Sequence, residues 1–152
     1  MLARLYSEHR QIVGFVKKLI GMIDPENPPD LMDLARVRSE LAACSDLHLL
    51  AEGKFIREVL GNRDDRIAQV LYERYKTELL EIQISLSAHM GRWNPVTIRS
   101  DWHGYRQAVH DQLAIGVERM KWEERVVFPV VQELDPVRSG KSWMPTKSAS
   151  IL

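Results

Sequence analysis

The stretch LARLYSEHRQIVGFVKKLIGM, residues 2–22, decides the fold. Its Leu2, Leu5, His9, Ile12, Val16 and Leu19, continued by Ile23, recur at alternating intervals of three and four. That spacing lines one face of a helix packed in a bundle, whereas a strand would alternate with period two. DPENPPD, residues 24–30, ends the pattern, because proline brings no amide donor to a helix ladder. Asp30 then stands as the N-cap of a second helix over residues 31–60. Its inner face reads Leu34, Leu41, Cys44, His48, Ala51 with Glu52, Phe55 and Val59. Gly61 and Asn62 close that helix and open a third over residues 63–92, with Leu71, Tyr75, Leu79, Ile82, Leu86 and His89 inward. Asn94 and Pro95 pair a cap with a first-turn proline. They predict a fourth helix reaching Pro129 or a turn beyond, with Tyr105, Val109, Leu113, Gly116, Arg119, Glu123, Val126 and Val130 facing in.

No segment alternates with period two over a useful length, so the class is all-α. Short connections make neighbouring helices antiparallel, which gives an up-down-up-down four-helix bundle over residues 1–134. Residues 135–152, rich in Pro, Ser, Gly and Lys, read as a flexible C-terminal tail. Trp143, Met144 and the final Ile151 and Leu152 are what that tail would offer a protein partner.

Lysine plus arginine equals aspartate plus glutamate, 21 against 21, so no net charge draws the chain to nucleic acid or an anionic membrane. No run of 18 apolar residues exists to span a membrane. Glu8, His9 and Arg10 interrupt the N-terminal apolar pattern where a signal sequence would need continuity. Cys44 is the only cysteine, which excludes an intrachain disulfide and suits a reducing, cytoplasmic setting.

The polar residues at inward positions carry the functional information. His9 occupies a core position of the first helix, His48 and Glu52 stack four apart on the second, and Arg119 and Glu123 do so on the fourth. Burying such groups is costly unless they are paired, hydrogen-bonded or bound to metal. If His9 and His48 lie level on antiparallel helices, their turn falls near residue 28, inside the proline-rich loop. If Tyr75 and Arg119 lie level, theirs falls near residue 97, close to Asn94 and Pro95. An internal repeat links the two layers. LYSEHRQI (residues 5–12) is similar to LYERYKTE (71–78), setting His9 against Tyr75. HLLAEGKFI (48–56) is similar to RMKWEERVVF (119–128), setting His48 against Arg119 and Glu52 against Glu123.

This ordered set resembles the haemerythrin-like (HHE cation-binding) family over roughly residues 2–134. That family carries a histidine on the first helix, His-x-x-x-Glu on the second, a histidine on the third and His-x-x-x-Glu on the fourth. WEERVVFPVV, residues 122–131, is similar to the acidic-then-apolar ending of the last motif. The resemblance implies metal ligands at His9, His48, Glu52 and Glu123, and two irons bridged by the glutamates that bind or react with dioxygen. Tyr75 and Arg119 stand where the other two histidines belong. A phenolate is acceptable to ferric iron, so Tyr75 is a possible substitute ligand. Arg119 is not, because a guanidinium keeps its proton and has no lone pair.

Two readings lead at this level, beside a full but unusual dinuclear site and an outward-snorkelling Arg119 with Glu123 as surface charge. One is a partly lost di-iron site that keeps fewer than two irons per chain, serving sensing or storage, with dioxygen as partner only where iron is bound. The other is a metal-free regulatory or interaction module, a homodimer or partner of another protein, in which Arg119 fills the metal's place by donating to Glu52 and Glu123. No nucleophile–base pair or phosphate loop supports an enzyme. Elsewhere, His89 lies level with about residue 105 and so near His103, His110 faces outward, and Cys44 reads as a small core residue. Gly116 leaves room for either a small-molecule pocket or close helix packing.

Overall fold

Side-chain caps start most of the helices. In the computed structural model, which describes residues 1–24 and 26–135, Asp30 Oδ1 accepts from the amides of Met32 at 2.7 Å and Asp33 at 3.3 Å. Those bonds open α2 (Leu31–Leu60), which follows α1 (Leu2–Ile23). Asp65 Oδ1 accepts from the Ala68 amide at 2.8 Å and opens α3 (Arg66–Arg92). The third helix therefore begins at Arg66 rather than at residue 63. Arg63 is engaged elsewhere, donating to the carbonyls of Val59 and Leu134 at the ends of two other helices.

The single fourth helix expected from Asn94 onward is divided. Asn94 caps only α4 (Pro95–Ser100), accepting from Val96 and Thr97 at 2.9 and 3.1 Å. Asp101 then caps a new start, accepting from the Gly104 amide at 2.8 Å. Gly104 permits that approach, since a Cβ there would run into the Asp101 carboxylate. The chain continues as α5 (Trp102–Trp122), a π-helical turn (Glu123–Val127) and α6 (Phe128–Leu134). The π turn slips the side chains by one position. Val126, expected inward, is 41% exposed, while Val127, Phe128 and Val131 take the core.

No strand occurs among the described residues; the fold there is all-helical. Leu5, from the start of α1, packs with Phe55, Ile56 and Val59 from the end of α2, with Leu71 of α3 and with Phe128. Leu19 and Ile23, from the end of α1, pack with Leu34 and Val37 from the start of α2, with Trp93 and with Tyr105 of α5. Ile12, Val16 and Met120 form a third cluster, which shares Leu41 and Leu113 with the second. Fully burying a side chain such as Leu5 contributes about 2 kcal/mol, so the two ends anchor the polar slice between them. No helix among the described residues is long and apolar enough to cross a membrane. The tail expected over residues 135–152 lies, from residue 136 on, outside the described residues.

Candidate metal centre

His9, His48, Glu52 and Glu123 are all buried, and one ligand atom from each lies within 4.8 Å of the others. His9 Nε2 is 3.1 Å from His48 Nε2, 3.7 Å from Glu52 Oε2 and 3.4 Å from Glu123 Oε2. His48 Nε2 is 3.3 Å from Glu52 Oε2. Tetrahedral ligands at ordinary metal–nitrogen and metal–oxygen bond lengths stand about 3.3 Å apart, and the separations of His9 from the other three and of His48 from Glu52 are close to that. Glu52 Oε2 is buried without a hydrogen-bond partner, an acceptor with nothing aligned to it. The donor set therefore fits a single first-row metal ion.

The far side of each imidazole is also arranged. His9 Nδ1 lies 2.8 Å from Glu124 Oε1, and His48 Nδ1 lies 3.0 Å from Glu8 Oε2. A carboxylate only accepts, so each Nδ1 carries the proton and each Nε2 faces the centre, the orientation that outer carboxylates give metal-binding histidines. Arg4 holds Glu8 in turn, with Nε donating to Oε1 at 2.6 Å. Phe128 stacks on His9 with ring centroids 5.4 Å apart. Glu8 and Glu124 were not singled out from the sequence. Their signal was adjacency, since each sits next to an inward site residue.

Tyr75 and Arg119 occupy the opposite side of the same two carboxylates. Tyr75 donates its hydroxyl to Glu52 Oε1 at 2.8 Å. Arg119 Nε lies 2.6 Å from Glu123 Oε1, and Nη2 lies 3.5 Å from Glu52 Oε1. Its guanidinium carbon sits 5.2 Å from the centroid of the Tyr75 ring. The contacts are close without being aligned, for no guanidinium nitrogen of Arg119 and not Glu123 Oε1 makes a hydrogen bond. Arg119 is thus an ion-pair partner held by charge and burial, at 7% exposure.

Protonation follows from this crowding. Burial opposes a charged His9, but its contacts with Glu123, Glu52 and Glu124 prevail and raise its pKa to about 10. His48 is raised against the same burial by Glu52 and Glu8. Burial would lift Glu52, yet His48, His9 and Tyr75 together hold it well below the usual carboxylate range. Glu123 goes the other way, raised by burial and by the charge of Glu52 despite His9 and Arg119. Burial and Glu52 push the Tyr75 phenol far up, so it remains a proton donor. The slice is a set of donors to metal that, without metal, shares protons.

The remaining expected residues lie away from it. His89 stands with its ring 6.3 Å from that of Tyr105 rather than paired with His103, which is exposed, and His110 is exposed too. Cys44 is a half-buried free thiol pushed up by burial. A Cβ on Gly116 would meet nothing within 4 Å, so open space, not close packing, surrounds it. Comparison with protein-family models, with curated proteins and with solved structures finds no match to this chain.

Proposed function

We propose that the helices form an antiparallel up-down-up-down four-helix bundle of haemerythrin-like type that binds one iron per chain, for sensing or storage. The observation carrying this reading is the convergence of His9 Nε2, His48 Nε2, Glu52 Oε2 and Glu123 Oε2 with both imidazoles pinned by Glu8 and Glu124. Iron held there would supply redox chemistry and a site for dioxygen. The chain's own residues divide the remaining tasks. His9 and His48 present lone pairs, Glu52 and Glu123 supply neutralising charge, and Phe128 keeps water from the His9 ring. Arg119 takes the place of a second ion, because its fixed charge satisfies the two Oε1 atoms and repels another cation.

Elemental analysis after anaerobic loading of chelator-stripped protein with ferrous iron tests this. One equivalent per chain, lost in the His9→Gln protein, is expected; none, or two, refutes it. A metal-free regulatory module is the second reading, favoured by the raised His9 pKa of about 10, which lets a proton fill the centre. It predicts no metal at any loading.

A further inference from the structure

A cavity of about 480 Å³ opens between α2, α3 and α5, and none of the four converging donors lines it. Leu19, Leu41, Leu49, Leu86, Val109 and Leu113 make its walls apolar. At one end Tyr105 is fully buried, yet its hydroxyl has no hydrogen-bond partner. A hydroxyl stripped of water and given nothing in return is destabilising, and an acceptor entering the cavity reverses that. Arg38 is fixed beside it. Its Nη2 donates to the Trp93 carbonyl at 2.7 Å, and its guanidinium carbon lies 5.4 Å from the Tyr105 ring centroid. The half-buried His89 completes this end of the cavity.

A second cavity, of about 90 Å³, shares Leu41, Ser45, Leu49, Leu86, Gln112 and Leu113 with the first and ends beside Gly116. The glycine leaves free volume there, as no neighbour would meet a Cβ within 4 Å. Between Tyr105 and Gly116 the helix advances about 16 Å, and the two neighbouring cavities lie along that length. Ser45, Asp46, Gln83, Ser87 and Gln112 also line the first cavity, so polar groups are not confined to the Tyr105 end; its size is that of a small-molecule site.

We propose that this space binds a medium-chain carboxylate, its head group accepting from the Tyr105 hydroxyl beside Arg38 and its chain lying along α5 toward Gly116. An alcohol would satisfy Tyr105 but not use the cation; a short acid would leave the Gly116 end empty. The Gly116 end of this space is also lined by His48, Arg119 and Glu123, so the test uses metal-stripped protein, in which its outcome does not depend on whether the centre holds metal.

Decanoate, kept below its micelle concentration, is titrated into the full chain while tryptophan fluorescence and melting temperature are followed. Trp93, whose ring lies 5.5 Å from that of Tyr105, is the reporter. Saturable binding with a raised melting temperature is expected, and decanol should bind about tenfold more weakly, the worth of a hydrogen bond to a charged group. Tyr105→Phe should weaken decanoate several-fold while the ligand-free protein melts no lower, since the hydroxyl has no partner to lose. Gly116→Leu, which has room for its Cβ, should weaken decanoate about tenfold and spare hexanoate. Equal binding of decanol and decanoate, no response to Tyr105→Phe, or binding only above the micelle concentration would each overturn the proposal. So would a full chain that binds nothing until residues 136–152 are removed, which would assign the cavity to the chain's own tail.

Discussion

Glu52 and Glu123 are shared by two regions that treat them differently. On the α1–α2 side their Oε2 atoms meet His9 and His48, which offer lone pairs to a metal once it displaces their protons. On the α3–α5 side their Oε1 atoms meet the Tyr75 hydroxyl, which donates to Glu52, and the Arg119 guanidinium, which pairs by charge without an aligned hydrogen bond. The sequence repeat sets His9 against Tyr75 and His48 against Arg119, and the chemistry of the two sides differs. A cation can enter only where lone pairs converge, and the opposite side already contains one that cannot leave. The difference teaches that a carboxylate pair can be neutralised by an ion or by a side chain within one slice, and that the choice rests on two residues.

Removing the built-in cation should produce the largest effect. Arg119→Met strands the buried Glu52 and Glu123, and breaking a buried ion pair from one side costs about 3 kcal/mol or more. Urea unfolding of metal-free protein measures it. A variant that unfolds like the parent would mean that the guanidinium compensates for nothing.

Next, the α3–α5 side can be changed to match the other. Tyr75→His with Arg119→His gives both regions imidazoles around the same carboxylates, and iron content should rise from one equivalent to two. An unchanged single equivalent, with the fold intact by circular dichroism, would show that the two sides differ in more than these two residues.

How far the comparison was legible beforehand depended on which signals are local. Asp30 fixed the start of α2 because a cap acts within three residues. The break at Asp101 was hidden because Ile98, Tyr105 and Val109 keep helical spacing across it, and all three are buried. The π turn was hidden because VVFPVV satisfies either register, so only the backbone hydrogen bonds choose. His9, His48, Glu52 and Glu123 were visible as polar residues on apolar faces. Glu8 and Glu124 were not, because with side chains 16% and 40% exposed they look like ordinary surface charge.

Those two carboxylates give the third effect. Glu8→Gln or Glu124→Gln should each lower metal affinity about 10- to 100-fold, the usual cost of losing an outer partner of a ligating histidine, while leaving the stoichiometry at one. The affinity should also depend on pH in a stated direction. His9 titrates near 10 in the metal-free protein against 6.5 for an unperturbed imidazole. Its charged form therefore contributes stability that is complete below pH 6.5 and lost as pH rises through about 10. Metal must displace that proton, so affinity should climb across the same window. Competition titrations with a chelator of known pH dependence would read it, and a flat profile would place the metal elsewhere.

The smallest effect separates the two sides most finely. Tyr75→Phe removes one buried donor to Glu52 Oε1 and nothing that faces the imidazoles. A hydrogen bond to a charged group is worth about 1.5–3 kcal/mol, and Arg119 Nη2, 3.5 Å from the same oxygen, is placed to recover part of it. The loss should therefore be about 1 kcal/mol in the metal-free protein, below that of Arg119→Met. In the iron-loaded protein the loss should be similar, because Tyr75 touches the oxygen turned away from the metal. Thermal melts of both forms compare the two values. If iron-loaded Tyr75→Phe is destabilised far more than the metal-free form, or loses its iron, then Tyr75 acts on the metal side. The division of each carboxylate between two regions would then have to be abandoned.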